Sequence, residues 1–157
     1  MPIKIAAKVD RADLDYYNEV IRPLIDDYPL AEFIGEISDR EKSDFLSGAI
    51  ALLVPLDWPE PFGLVMIEAM ACGAPVIAYN RGSVPEFVED GVTGFVVEDE
   101  DGAVAAVERL STLNRPAIRE RFEARFTARR MALDYLAAYR RLTEAAKPLI
   151  KLVSSAE

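Results

Sequence analysis

The run AIALLVP, residues 49–55, is unbroken by any polar side chain. A run this short and this continuous fits a strand covered on both faces, since a half-exposed strand alternates and a surface helix repeats every three to four positions. Strands of that kind belong to parallel sheets, whose neighbours are joined by crossovers long enough to hold a helix. The rest of the chain reads the same way. IKIAAKV (3–9), AEFIG (31–35), PVIAY (75–79) and FVV (95–97) are further strands. Between them lie helical patterns. Asp10 is expected to cap a helix to about Asp26, with Leu14, Tyr17, Val20, Ile21 and Leu24 on its apolar face. Ser38 and Glu41 form an S-x-x-E capping box for a helix over 39–47. Gly63 opens a helix to Cys72 that Gly73 closes, and Pro85–Glu89 form a short one. Three more stretches, near 101–112, 115–125 and 127–146, follow the last strand, before a partly disordered tail over 147–157. The expected fold is α/β: a single Rossmann-like three-layer domain with a parallel sheet of about five strands and additional C-terminal helices.

Composition excludes several functions. The net charge is −9 with no basic stripe, so nucleic-acid binding is not expected. Histidine is absent, which removes Ser-His-Asp and Cys-His nucleophile systems and most zinc sites. Cys72 stands alone, which leaves no internal disulfide or cysteine metal cluster. The acidic run EDED at 98–101 contains a D-x-D, but between a strand and a helix it reads as a solvated cap rather than a metal site. No apolar run approaches the roughly 20 residues of a spanning helix, and Lys4, Lys8 and Asp10 argue against a signal peptide, so cytoplasmic location is expected.

Ligands of open α/β sheets sit beyond the C-terminal ends of the strands. That rule selects the loops after Val9, Gly35, Pro55 and Tyr79. The loop after Pro55 is the most irregular, with Trp58, Pro59 and Pro61 leading into Gly63. First-turn amides of a helix lack intrahelical acceptors, and with the helix dipole they attract anions. Glu60 and Glu68 stand on either side of this helix start in an otherwise apolar segment. Carboxylates suit the vicinal hydroxyls of sugars rather than phosphate. A molecule built as sugar, phosphates and sugar matches that layout; two ordinary surface glutamates in an acid-rich chain match the spacing equally well.

The longer stretch EPFGLVMIEAMACGAPVIA resembles the donor-binding signature of the retaining glycosyltransferases of family 4, in the GT-B class: E-x7-E enclosing F-G, then E-A-x-A-x-G-x-P-V. Glu60, Phe62, Gly63, Glu68, Ala69, Ala71, Gly73, Pro75 and Val76 carry it. RGSVPEFVEDGVTGFVV is similar to the family's G-x-P-E and D-G-x-x-G-x-L-V segments, and EFIGEISDREKSDFLSGAIALLVP to its F-x-G strand-and-helix unit. The resemblance spans roughly residues 3–140 and implies a nucleotide-sugar-binding domain over 1–146, with 147–157 as a tail. It implies that Glu60, with Phe62 and Gly63, meets the transferred sugar and that Glu68 holds the nucleotide ribose. Gly63 and Leu64 would offer amides to the diphosphate, and Ile37 and Ser38 would meet the base. Lys42 is a further base candidate and Lys8 a phosphate candidate, beside their simpler roles as surface lysines. The resemblance also implies transfer with retained configuration through a front-face, ion-pair-like transition state, without a metal or cofactor.

The family has two Rossmann-like domains, with acceptor binding mostly in the N-terminal one. No counterpart of that domain, nor of the first strand of the C-terminal domain and its R-x-x-x-x-K-G loop, precedes IKIAAKV. The chain is therefore expected to be a donor-binding half that transfers little alone and pairs with an N-terminal acceptor-binding domain or subunit. If the sheet closes over the missing strand, its order becomes 2-1-3-4-5. Homo-oligomerisation is a second expected partnership. A non-catalytic remnant or regulatory module pairing through Met131, Leu133, Tyr135, Leu136, Tyr139 and Leu142 is the alternative, those residues otherwise forming a local core. A flavodoxin-like or receiver domain would need clustered aspartates, for which only Asp10 and Asp57 stand at suitable strand ends.

Overall fold

The computed structural model describes residues 1–153, with side chains through Glu144. It is an α/β protein with two compact units, Met1–Phe45 and Leu46–Glu157. Their junction falls inside a helix, Asp39–Gly48 (α3), which is why no Pro/Gly-rich linker marks it in the sequence.

In the first unit, β1 (Ile3–Ala6) and β2 (Ala31–Gly35) pair in parallel, with Ile3 opposite Ala31 and Ile5 opposite Phe33. Lys4 and Glu32, cross-strand neighbours, pair at 3.1 Å. The first strand ends at Ala6, three residues short of the expected Val9. Asp10 does not cap the next helix; its carboxylate pairs with Lys8 Nζ at 2.7 Å instead. The single helix expected to Asp26 is a series of turns: 3-10 at Arg11–Asp13, α1 at Leu14–Tyr16, a π-turn at Tyr17–Ile21, and α2 at Arg22–Asp26. Pro23 supplies the reason. It has no N–H to give to the carbonyl four residues back, and its ring crowds that carbonyl, so the ladder widens just before it.

The second unit holds the larger ladder, β3 (Leu52–Val54), β4 (Val76–Tyr79) and β5 (Gly94–Val97), parallel with β4 in the centre. β4 is almost sealed from solvent: Val76, Ile77 and Ala78 are all buried. Alternation sends Ile77 to one face, where it packs with Phe95 and with Ala106 of α6 (Glu100–Arg109) and nearby Leu110. α4 (Leu64–Ala71) contacts β3 and β4 and packs against α7 (Arg115–Arg125), burying Met66, Ala69, Met70 and Ile118. Between β4 and β5 lies α5, Val84–Phe87. Asn114 caps α7 through Ala117 N–H, and Asp99 caps α6 through Gly102 N–H at 2.9 Å, so the EDED run does include a helix cap.

Four further expectations need correction. The 49–55 strand shortens to three residues, because Ala49–Ala51 lead out of α3 and only Leu52 onward is in register with Val76. The five strands form two ladders, β1-β2 and β3-β4-β5, rather than one sheet in the order 2-1-3-4-5. Apolar strand sequence selects burial, whereas a ladder needs amides in register, and each ladder belongs to its own compact unit. α8 runs from Ala128 to Val153, past the boundary expected at 146; residues 154–157 of the anticipated tail lie outside the described residues. Finally, Met131, Leu133, Tyr135, Leu136, Tyr139 and Leu142 on α8 are all at least half exposed, so they do not form a local core.

Candidate functional site

The C-terminal ends of β3, β4 and β5 carry three loops that meet. The loop from Pro55 to Gly63 follows β3, and Gly63 adopts the left-handed conformation (φ 73°, ψ 60°) as the N-cap residue of α4. That conformation favours glycine. It turns the Gly63 N–H back toward Glu60, whose Oε1 accepts from it at 3.1 Å and from Phe62 N–H at 3.3 Å. Glu60 is half-buried, and its carboxylate lies on the Gly63 amide, one of the two that the resemblance assigned to the diphosphate, and on the Phe62 amide, which it did not. These amides can therefore hold an anionic oxygen, and in this state the protein's own side chain supplies it. Leu64 begins the helix and is exposed. Glu68 sits in the second turn of α4, half-buried. Phe62 packs edge-on against Phe87, with ring centroids 4.9 Å apart.

The remaining candidates belong to the first unit. Ser38 donates its hydroxyl to Glu41 Oε2 at 2.6 Å and its N–H to the same oxygen at 2.9 Å. The hydroxyl, then the amide, hold the Glu41 carboxyl below its ordinary range. The capping-box pair thus forms, and it engages the polar groups of Ser38 that were assigned to a base. Ile37 is half-buried beside it. Lys42 pairs with Asp39 at 3.2 Å, and Lys8 with Asp10.

The structure adds residues that the sequence did not single out. Arg81, after β4, donates Nε to Asp57 Oδ1 at 3.3 Å and Nη1 to Glu98 Oε2 at 3.2 Å. Asn80 Nδ2 donates to the other Glu98 oxygen at 2.8 Å. The Asn80 amide, then the Arg81 guanidinium, keep the Glu98 carboxyl low, while Glu98 and Asp57 raise Arg81 above its ordinary value. One cation thus ties the loop after β4 to those after β3 and β5. The only advance signal was a strand-end arginine between acidic runs.

Under the strand ends lies an apolar hollow of about 60 Å³, lined by residues that include Val54, Ile77, Tyr79 and Val97. It has room for a water or two but not a nucleotide.

The sequence pattern of the family described as glycosyl transferases group 1 matches residues 18–129. The chain belongs to this family. It is 33% identical over 92 residues to phosphatidyl-myo-inositol mannosyltransferase of Mycobacterium leprae, an overlap of 59% of this chain and 25% of that protein. Among solved structures it is similar to sucrose-phosphate synthase from Thermosynechococcus elongatus, with a TM-score of 0.73 and 32% identity over 90% of this chain and 38% of that one. HepE of Anabaena, solved with UDP and glucose, shares the fold at a TM-score of 0.73 and 21% identity, covering 87% of this chain and 40% of HepE. The group 1 chain described here thus spans a quarter of the mannosyltransferase and about two fifths of the solved chains. Its fold resembles that of GT-B glycosyltransferases, and no helix among the described residues is long and apolar enough to cross a membrane.

Proposed function

We propose that this group 1 domain is the donor-binding portion of a retaining family 4 glycosyltransferase and that it takes a nucleotide-diphosphate-sugar on the loop from Pro55 to Gly63 and the first turn of α4. The observation that carries the reading is Glu60 Oε1 on the amides of Phe62 and Gly63, an anionic oxygen seated where a helix begins. In the donor complex a diphosphate oxygen takes that place, helped by the amide of Leu64. The Glu60 carboxylate swings out to accept hydroxyls of the sugar beside Phe62. Glu68, further along α4, accepts the ribose hydroxyls. Taken by itself, the first unit offers Ile37, Ser38 and Lys42 as base contacts, with Ser38 and Lys42 held by Glu41 and Asp39, and Lys8 as a phosphate contact held by Asp10.

Amides and the helix dipole meet the diphosphate charge, so donor binding needs no metal or cofactor. No side chain is assigned as a nucleophile; the nucleoside diphosphate leaves from the same face of the sugar's anomeric carbon that the acceptor attacks, which retains configuration. Acceptor recognition falls to an N-terminal domain or subunit outside these 157 residues, in keeping with the share of the solved chains that this chain spans. The chain by itself binds donor and transfers little. A second reading, a non-catalytic module that pairs with a partner chain or with its own copy, has the exposed apolar residues of α8 in its favour.

Calorimetry with UDP, GDP and their glucose and mannose conjugates tests the first reading. It predicts that Glu68→Ala weakens every nucleotide and that Glu60→Ala weakens the preference for the sugar conjugate over the nucleotide alone. No binding at millimolar ligand, or two variants indistinguishable from the parent chain, would remove it.

A further inference from the structure

Glu60 can serve a sugar only if its backbone is held while its side chain moves. The loop Asn80-Arg81-Gly82-Ser83 does the holding. Ser83 is buried, and it meets the donor loop twice: its N–H donates to the Glu60 carbonyl at 3.0 Å and its hydroxyl to the Phe62 carbonyl at 2.9 Å. The carbonyls on either side of Pro61 are thus anchored to one residue. Gly82 makes the approach possible. At its φ of +52° a side chain would be strained, and a Cβ there would stand 2.6 Å from Glu60 N and 2.8 Å from the Pro59 carbonyl carbon. Arg81 secures the near end of the same loop through Asp57.

Each of these bonds alone is ordinary in strength, and the exposed Arg81–Asp57 pair contributes little to stability. What distinguishes them is convergence. The Ser83 N–H on the Glu60 carbonyl and its hydroxyl on the Phe62 carbonyl together hold the segment that carries Glu60, close backbone packing at Gly82 prevents the loop from rising, and the guanidinium holds the strand side. Proline at 59 and 61 removes further freedom.

Building on the donor-site reading of Glu60, we propose that Ser83 is a positioning residue for sugar recognition: it sets the Glu60 carboxylate for the transferred sugar without touching the donor. Its effect is then exerted through Glu60 alone. The test is a double-mutant cycle on the 157-residue chain, with UDP and UDP-glucose as calorimetric probes of the parent, Ser83→Ala, Glu60→Gln and the double variant. Ser83→Ala should lower the UDP-glucose-to-UDP affinity ratio about fivefold, the effect of one lost hydrogen bond, while UDP affinity moves less than about twofold. On the Glu60→Gln background the same substitution should lower the ratio no further. Trp58, the chain's only tryptophan, stands between Asp57 and Pro59, so its emission should report the loosened loop in Ser83→Ala.

A ratio unchanged by Ser83→Ala while Glu60→Gln loses it overturns the inference and leaves the donor site standing. So does a loss that adds in full to that of Glu60→Gln, which would mark a general structural role. A parent chain that binds no UDP-glucose, or a Glu60→Gln ratio equal to the parent's, overturns the donor-site reading and the inference with it. Should Ser83→Ala not fold, Arg81→Ala at the surface carries the same cycle, with a ratio loss of about twofold expected and additivity again decisive against the proposal.

Discussion

The Glu60 carboxylate on the amides of Phe62 and Gly63 makes an unusual demand of the proposed donor site: part of it must be vacated before a diphosphate enters. Glu60→Gln should therefore strengthen the binding of UDP alone. Two charge-assisted bonds at 3.1 and 3.3 Å hold the carboxylate, both at the long end of their range. A charged acceptor is worth roughly twice a neutral one, and a half-buried group is screened, so neutralising it weakens the self-contact by about 0.5–1 kcal/mol. Removing that much competition raises UDP affinity by about two- to fivefold. UDP-glucose should not share the gain, because the glutamine is a poorer acceptor for sugar hydroxyls than the carboxylate that swings out in the parent. Calorimetry gives both affinities, and the Gly63 amide resonance offers an independent check. It should shift on UDP addition, and it should already differ between the free parent and the free Glu60→Gln chain. Weaker UDP binding by Glu60→Gln, or a Gly63 resonance identical in the two free chains, would refute the reasoning.

Three further outcomes follow from the packing and charges of the second unit. Phe95 is almost fully buried between Ile77 and Leu110, with the Arg109 guanidinium 4.3 Å above its ring, so Phe95→Ala should cost about 3–5 kcal/mol in urea unfolding. Glu98 has a folded pKa below its unfolded one, so its bonds with Asn80 and Arg81 add stability above the unfolded value, near pH 4, and lose it as pH falls through the folded value. The stability difference between the parent and Glu98→Gln should accordingly shrink on acidification below about pH 4, and a difference that grows would reverse the assignment. Asn114→Ala removes the acceptor that caps α7 and should destabilise by about 1 kcal/mol in the same assay.

Elements whose signal is local were legible from sequence. AEFIG and the 115–125 helix fall where their patterns put them, because a Gly end in one and a polar cap with Pro in the other punctuate them. The start of α4 at Gly63 was equally plain. Misreadings came from competition between local signals. Asp10 had the sequence of a cap but found Lys8 closer, and the π-turn before Pro23 trades hydrogen-bond geometry against a ring clash that hydrophobic periodicity does not register. At the candidate site, what the sequence did not announce was the backbone. Ser83 acts on carbonyls of Glu60 and Phe62, and every residue has a carbonyl, so nothing in the letters of positions 60 and 62 announces that bond. Glu60 three residues before a helix-opening glycine could have been read as a self-cap, since acidic side chains commonly accept from first-turn amides.

Trp58 stands before the first turn of α4 and Cys72 is its C-cap residue, and the chain has one of each. Eight helical residues separate the helix ends by about 12 Å. An energy acceptor attached to the half-exposed Cys72 thiol would therefore read its distance from Trp58 across the donor loop, with no residue replaced. The protein carries its own molecular ruler. Opening of the loop as Glu60 gives way to a ligand would appear as a change in transfer efficiency, on a timescale that calorimetry does not resolve.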